Sequence, residues 1–271
     1  MADESLRDGA GVLHAPAPDA RIVSLVPSIT ELLFDLGLGA RVVGRTGFCI
    51  HPQPAVREVP KVGGTKDVKL DALRALQPTH VIVNVDENEA DAVQAMRAFV
   101  PHVIVTHPNA PEDNLALYAL VGGVFGARAR AAELQRALQR ELEACRAARW
   151  TPERVLYLIW QDPWMTVAAD TYIARTLACV GWQVTTGAGG WSGAARYPRI
   201  GDIVAAAAAV DRVLLSSEPY PFTAAHADAL RRLGVTAPVQ CVDAEMTSWY
   251  GSRAVRGLAT LRTLRGSSGA P

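Results

Sequence analysis

From Arg21 onward, short β-branched runs alternate with stretches of helical periodicity. Arg21-Ile-Val-Ser-Leu-Val26 is a continuous apolar run of the kind that forms a strand buried on both faces. Pro27 follows, and then Ser28-Ile-Thr-Glu31, whose spacing matches a capping box opening a helix through Leu38. Val42-Val43, Val81-Ile-Val83 and Val103-Ile-Val105 read as further strands, with helices expected over Leu70–Leu76 and Glu87–Phe99. Strand, helix, strand in this order implies parallel sheets covered by helices.

The texture then changes. Residues 127–149 contain no Gly, Pro or β-branched residue and consist almost wholly of Ala, Arg, Glu, Leu and Gln. A helix of that length would run about 35 Å, with Leu134, Leu138 and Leu142 on one face. After Pro152 the alternation restarts in the same order. Arg154-Val-Leu-Tyr-Leu-Ile159 echoes the first strand, Val180-Gly181 before Val184 echoes Leu36-Gly37 before Val42, and Val213-Leu-Leu215 echoes Val81-Ile-Val83. Repetition across the chain predicts two lobes of related topology joined by a long helix. The expected limits are 21–111 for an N-terminal α/β lobe, 112–150 for a helical segment holding the connector, and 151–268 for a C-terminal α/β lobe.

Composition narrows the function. The chain has 271 residues, 49% hydrophobic and 20% charged, with Lys plus Arg equal to Asp plus Glu at 27 each. Two lobes with real cores fit that length, and the absence of a basic excess or stripe argues against nucleic acid as a partner. Cys49, Cys145, Cys179 and Cys241 show no zinc-site or disulfide spacing; the last three read as buried free thiols. No stretch approaches ~18 uninterrupted apolar residues, so no membrane span is expected. The first residues carry early acidic side chains and no apolar core segment, so the sequence as written reads as cytoplasmic.

Candidate chemistry gathers beyond strand ends, where open parallel sheets bind ligands. In the second half, Trp160-Gln-Asp-Pro-Trp164, the Gly-rich stretch with Trp191, Arg196 and Tyr197, Ser216-Ser-Glu-Pro-Tyr-Pro-Phe222, and Glu245-Met-Thr-Ser-Trp-Tyr-Gly-Ser-Arg253 hold eight aromatic side chains. Rigid aromatic surfaces of this kind suit a large, flat or macrocyclic ligand. The first half offers polar groups: Pro27 and Ser28 after the first strand, Arg45, Phe48, Lys66 in Gly63-Gly-Thr-Lys66, and Asn84 and Glu87 after the third. Cys49 and His51 can supply two metal ligands, and His51 can act as an axial ligand to a chelated iron or cobalt. Arg45, Lys66, Arg196 and Arg253 are candidates to meet anionic ligand groups, alongside Glu218, Tyr220, Glu245, Trp249 and Tyr250. The sequence lacks a P-loop, a dinucleotide fingerprint, a nucleophile elbow and zincin or S-x-x-K motifs, so catalysis is not expected.

The strings Phe48-Cys-Ile-His-Pro52, Val62-Gly-Gly-Thr-Lys66, Ser216-Ser-Glu-Pro-Tyr-Pro-Phe222 and Ser248-Trp-Tyr-Gly-Ser-Arg253 resemble the helical-backbone class of ABC-transporter substrate-binding proteins. The resemblance runs from about Arg21 to Leu264 and is nearest to the cobalamin-binding or metal-receptor branch. It implies a monomeric receptor, without covalent cofactor, that captures cobalamin or another metal chelate between two lobes for an ABC permease. Members of that family are secreted or lipid-anchored, which would make this protein periplasmic if its start lies further upstream. They dock through a surface Glu on each lobe; Asp71 and Asp202 stand at the corresponding helix starts, one methylene shorter. Three other readings remain open: a cytoplasmic corrinoid carrier without a transporter, an enzyme using Glu218 or Glu245 as base, and a direct metal receptor built on Cys49, His51 and carboxylates.

Overall fold

The structure is a computed structural model describing residues 6–185 and 195–267. Its described residues form two compact units. The first takes the chain up to Pro108, Glu112–Leu138 and Tyr250–Arg253; the second takes Asn109–Pro111, Gln139–Trp249 and the chain from Ala254.

In the first unit, β1 (Ile22–Ser24), α1 (Pro27–Asp35), β2 (Val42–Arg45), α2 (Leu70–Ala75), β3 (His80–Asn84), α3 (Ala90–Met96) and β4 (His102–Thr106) follow one another. α4 (Asn114–Val124) then leads into the long helix α5 (Arg128–Ala147). The four strands are all parallel, in the order β2-β1-β3-β4. Val23, Leu25, Val81, Val83, Val103 and Val105 form a core with Leu73 and Met96, while Ile22, Ile82 and Ile104 are fully buried at the alternate positions. Burial on both faces explains why these strands read as unbroken apolar runs.

Several local expectations change. The Ser28–Glu31 capping box does not form: α1 begins at Pro27, its cap Val26 makes no side-chain bond, and Ser28 lies buried within the first turn. Proline is already set for the first helical position, so the start moves ahead of the serine, and Glu31 is used elsewhere. The helix expected over 127–149 spans 20 residues, about 30 Å; Arg149 leaves helical geometry at φ +46. α5 gives its residues up to Leu138 to the first unit and the rest to the second. Along it, Ala131, Leu138, Leu142 and Cys145 are the buried positions.

A feature ahead of Arg21 had no apolar signal to announce it. Arg7 and Leu13 form an antiparallel bridge, and Asp8 sits inside the turn at 7% exposure. Its Oδ1 accepts from the amides of Ala10 and Val12, and its Oδ2 from the Val105 amide in β4 and from His14 Nε2. Burial alone would push this carboxyl up, but His14 and the three amides outweigh it, leaving the pKa lowered. The hook is a buried charge with every acceptor direction used.

The second unit contains β5 (Glu153–Trp160), β6 (Met165–Thr166), α6 (Tyr172–Ala178), β7 (Trp182–Val184), α7 (Ile203–Ala208), β8 (Arg212–Ser216), α8 (Ala224–Arg232), β9 (Val239–Val242), α9 (Ala244–Ser248) and α10 (Arg253–Ser267). β5 is central. It pairs in parallel with β8, which carries β9, and in parallel with β7; only β6 runs antiparallel. The core of this unit packs Leu156, Leu158, Val213 and Leu215 with Leu230, Phe222 and the small residues of α7. Gly37 and Gly181, which echo one another in sequence, both take positive φ just after their helices. Of the three cysteines read as buried, Cys145 is buried, Cys179 partly so, and Cys241 exposed on β9. A strand position on the solvent side carries no burial signal of its own.

Candidate functional site

In the first unit the loops after β1, β2 and β3 carry the polar candidates. Pro27 and Ser28 open α1 directly beyond β1. Arg45, at the end of β2, is 4% exposed; its guanidinium donates to the carbonyls of Val56, Thr46 and Cys49. It therefore braces the following loop from inside rather than offering charge to a ligand. That loop exposes Phe48 and Ile50 and buries Cys49 completely. The Cys49 thiol is pushed up by burial, with hydrogen bonds from Thr30 and Thr46 and the charge of Arg45 pulling the other way. A thiol held neutral is a poor metal ligand. His51 follows, partly exposed. Among the described residues, no group of three or more His, Cys, Asp or Glu gathers as a metal site.

The loop after β3 is tied down by side-chain to backbone hydrogen bonds. Asn84 Oδ1 accepts from the Asp86 amide, and Asn88 Oδ1 accepts from the Asn84 amide while its Nδ2 reaches the carbonyls of Leu25 and Thr65. These bonds fix the turn that carries Glu87. Lys66 donates to the Asp86 carbonyl and pairs with Glu89 at 3.3 Å, both side chains more than half exposed. Glu87 accepts a short hydrogen bond from the Tyr250 phenol. Burial raises the Glu87 carboxyl to about 6, Tyr250 and Lys66 lower it, and Asp86 raises it. Tyr250 is itself raised well above the phenol range by burial and by Glu87.

Tyr250 reaches this place through a segment that sequence spacing alone would assign to the second half. The Gly251 amide donates to Asn114 Oδ1 at 2.6 Å, and Tyr118 donates to the Gly251 carbonyl at 2.8 Å. Gly251 takes φ +76, and a Cβ there would stand 3.0 Å from the Ser28 carbonyl, so only glycine fits. Arg253 is buried, with its Nε 2.7 Å from Glu31 Oε2 and its Nη2 on the other carboxylate oxygen. Expected as a ligand contact, Arg253 instead forms a bidentate ion pair that holds the segment down. Glu31, Asn114 and Tyr118 were missed in the sequence because each lies more than a hundred residues from its partner.

In the second unit the strand-end loops carry the aromatics. Trp160 ends β5 at 39% exposure and meets Tyr220 edge-on at 5.6 Å. The chain turns at Asp162 (φ +59) and returns as β6, so the segment expected as a loop after this strand is a tight reversal. Trp164 stacks parallel to Phe222 at 6.0 Å, and Tyr220 lies tilted against Phe222 at 4.7 Å. Phe222 is core, while Trp164 and Tyr220 pack partly against that core and stay partly open. Trp249 donates to Glu218 Oε2 at 3.3 Å. Tyr197 is 40% exposed, and the neighbouring Arg196 donates to Asn109. Glu245 lies in the first turn of α9, whose amides are capped by Asp243 and Ser217. Tyr157, fully buried beneath, is raised to about 12 by burial; it bonds Ser216 and Thr247 and ties β5, β8 and α9 together. Trp191 lies outside the described residues.

Asp71 is exposed in the first turn of α2. Asp202 is the N-cap of α7, its carboxylate accepting from the amides of Val204 and Ala205. No helix among the described residues is long and apolar enough to cross a membrane.

This arrangement has known counterparts. Solved structures with the same fold include the periplasmic vitamin B12 binding protein of Vibrio cholerae (TM-score 0.74, 17% identity, 94% of this chain and 100% of that one). A periplasmic heme-binding protein from Roseiflexus sp. RS-1 matches at TM-score 0.76 and 20% identity, over 93% and 100% of the two chains. In sequence, the chain is 25% identical over 216 residues to a vitamin B12-binding protein of Vibrio parahaemolyticus, covering 79% of this chain and 74% of the relative. The family model described as periplasmic binding protein matches residues 22–219, from the first strand through the loop after β8. With parallel sheets in both units and a long helix shared between them, the chain belongs to the periplasmic binding protein family.

Proposed function

We propose that the protein is the substrate-binding component of an ABC-type importer and captures a metal chelate, of the corrinoid class, without altering it. The observation that carries this reading is the aromatic strand-end surface of the second unit: Trp160 exposed and braced by Tyr220, Trp164 stacked on Phe222. A preorganised aromatic face gives a macrocycle large apolar contact at little entropic cost. Relatives named for vitamin B12 binding and structural neighbours named for heme binding support the same ligand class. Because those relatives are binding proteins, the reading assigns no catalytic step, and Glu218 and Glu245 serve as polar edges of the site. His51 is the residue of the Cys49–His51 pair that stays accessible to a chelated metal. Asp71, exposed on α2, and Asp202, capping α7, are the permease-facing positions, and the protein acts as a monomer on the outer side of the membrane.

Titration calorimetry with cyanocobalamin, haem and a ferric siderophore tests the reading, with Trp160→Ala as the variant. Trp160 is largely outside the core, so its truncation should leave thermal stability near the parent value and weaken corrinoid binding about tenfold, or ~1.4 kcal/mol. Failure of all three ligands to bind below about 100 μM, roughly 5.5 kcal/mol of binding energy, would remove the chelate-receptor function.

A further inference from the structure

Four cations were candidates to meet an anionic ligand, and each already holds a partner within the chain. Arg45 is taken by three carbonyls, Arg253 by Glu31, Arg196 by Asn109, and Lys66 by Glu89 and the Asp86 carbonyl. The polar group that the first unit does present at its strand ends is an acceptor, Glu87. Its turn is fixed by Asn84 and Asn88, and one carboxylate oxygen is held by the Tyr250 phenol. Tyr250 cannot swing away easily, because Gly251 is clamped by Asn114 and Tyr118 and pressed against the Ser28 backbone. The second oxygen, Oε2, takes no hydrogen bond from another described residue, and the side chain is partly exposed.

We propose that Glu87, positioned by Tyr250, is a specificity-determining acceptor that binds an N–H donor on the ligand's periphery and so selects a carboxamide-bearing chelate over a carboxylate-bearing one. This rests on the chelate-receptor reading and names the chemistry that reading leaves open. A primary carboxamide can donate one of its two N–H groups to Glu87 Oε2. A carboxylate at the same place brings a second negative charge beside Glu87 and Asp86, in surroundings where burial strengthens repulsion. Sites built to hydrogen-bond one group reject the analogue that lacks it, because the protein group is left unpaired. Corrinoids carry peripheral carboxamides, whereas haem carries carboxylates.

The discrimination should depend on pH with a defined sign. Glu87, facing Tyr250, Asp86 and Lys66, with His107 paired to Asp86 and Glu89 paired to Lys66, titrates near 6. Above that pH it is an anionic acceptor. Below it the protonated acid can donate to a ligand carboxylate, and the penalty against the carboxylate analogue falls.

The test uses the full chain with cyanocobalamin and its separated monocarboxylic acids, each with one peripheral carboxamide replaced by carboxylate. The expected result is that at least one acid binds ten or more times more weakly than the parent at pH 8 and within about threefold at pH 5. Glu87→Gln, which keeps the shape and can donate to a carboxylate, should abolish the pH 8 discrimination, weakening the parent and bringing it within about threefold of the acids. Tyr250→Phe should reduce it several-fold without abolishing it. Should Glu87→Gln fail to fold, the pH dependence of the native protein decides alone. Parent binding with no acid discriminated beyond twofold overturns the Glu87 assignment and leaves the receptor function standing, as does full discrimination in Glu87→Gln. Absence of any cyanocobalamin binding overturns both.

Discussion

Replacing Arg253 tests whether the segment entering α10 is held by its ion pair or merely lies against it. A cation at the first residue of a helix opposes the macrodipole, so Arg253 is not there for the benefit of α10. Its side chain is 2% exposed and that of Glu31 13%, with two hydrogen bonds between them. Arg253→Met keeps the aliphatic stem but strands the Glu31 carboxylate. Removing one partner of a buried pair costs about 3–5 kcal/mol. The slight exposure of Glu31 lets water approach, which places the expected loss near the lower end, roughly 3 kcal/mol. The single variant Glu31→Leu strands the more deeply buried Arg253 and should lose about as much, whereas the double variant Glu31→Leu with Arg253→Met leaves neither member of the pair uncompensated and should lose only about 1 kcal/mol, less than either single variant. Urea unfolding followed by far-UV circular dichroism measures all four corners of this cycle. An Arg253→Met loss below about 1 kcal/mol, or a double variant as destabilised as the single one, would show that the pair is not what seats the segment.

Two further predictions concern titration. Asp8→Ala should cost about 3 kcal/mol by leaving buried amides without their acceptor. Because the Asp8 pKa is lowered in the fold, its contribution is complete above the ordinary carboxylate value and fades as pH falls through the folded one; thermal melts from neutral to strongly acidic pH should show Asp8→Asn with a shallower acid limb, and parallel limbs would exclude the effect. His80 is 3% exposed, stacked on His102 at 4.6 Å, and lowered to about 4 by burial and by the charges of His102 and His14. Protons bind the unfolded chain first, so stability should drop between pH 6.5 and about 4, by roughly 3 kcal/mol in all; His80→Phe should flatten that stretch of the curve, and an unchanged slope would sink the assignment.

The alternation of strands and helices was legible because strands buried on both faces are apolar at their centres, and residues 22–23, 81–83 and 103–105 obey that constraint. Position relative to a strand end was partly legible: Trp164 and Tyr220 could be placed beyond strand ends without knowing any contact, while Trp160 is the last residue of β5 and Glu87, expected to open a helix, lies in the turn ahead of α3. Partners across long sequence distance were not. Arg45 and Arg253 look in sequence like surface charges, since nothing local distinguishes a guanidinium that will meet three carbonyls or a buried carboxylate. The Asp8 hook escaped because its stability is polar, and hydrophobic periodicity has nothing to report there. The misplaced start of α1 has a different origin: two local rules competed, and proline's fixed φ prevailed over the serine cap.

Tyr250–Arg253 is surrounded in sequence by residues of the second unit yet counts among the residues of the first. No single cut through the chain, therefore, yields two whole parts. A fragment ending near Leu138 carries Glu31, Asn114 and Tyr118 without the Gly251 and Arg253 they bond, while the remainder carries that glycine and arginine without them. Shuffling of halves between distant relatives would face the same difficulty, since the incoming N-terminal portion must match Tyr250, Gly251 and Arg253, three residues encoded more than a hundred codons downstream. The two units can drift in their strand-end loops independently, but they are inherited as one piece.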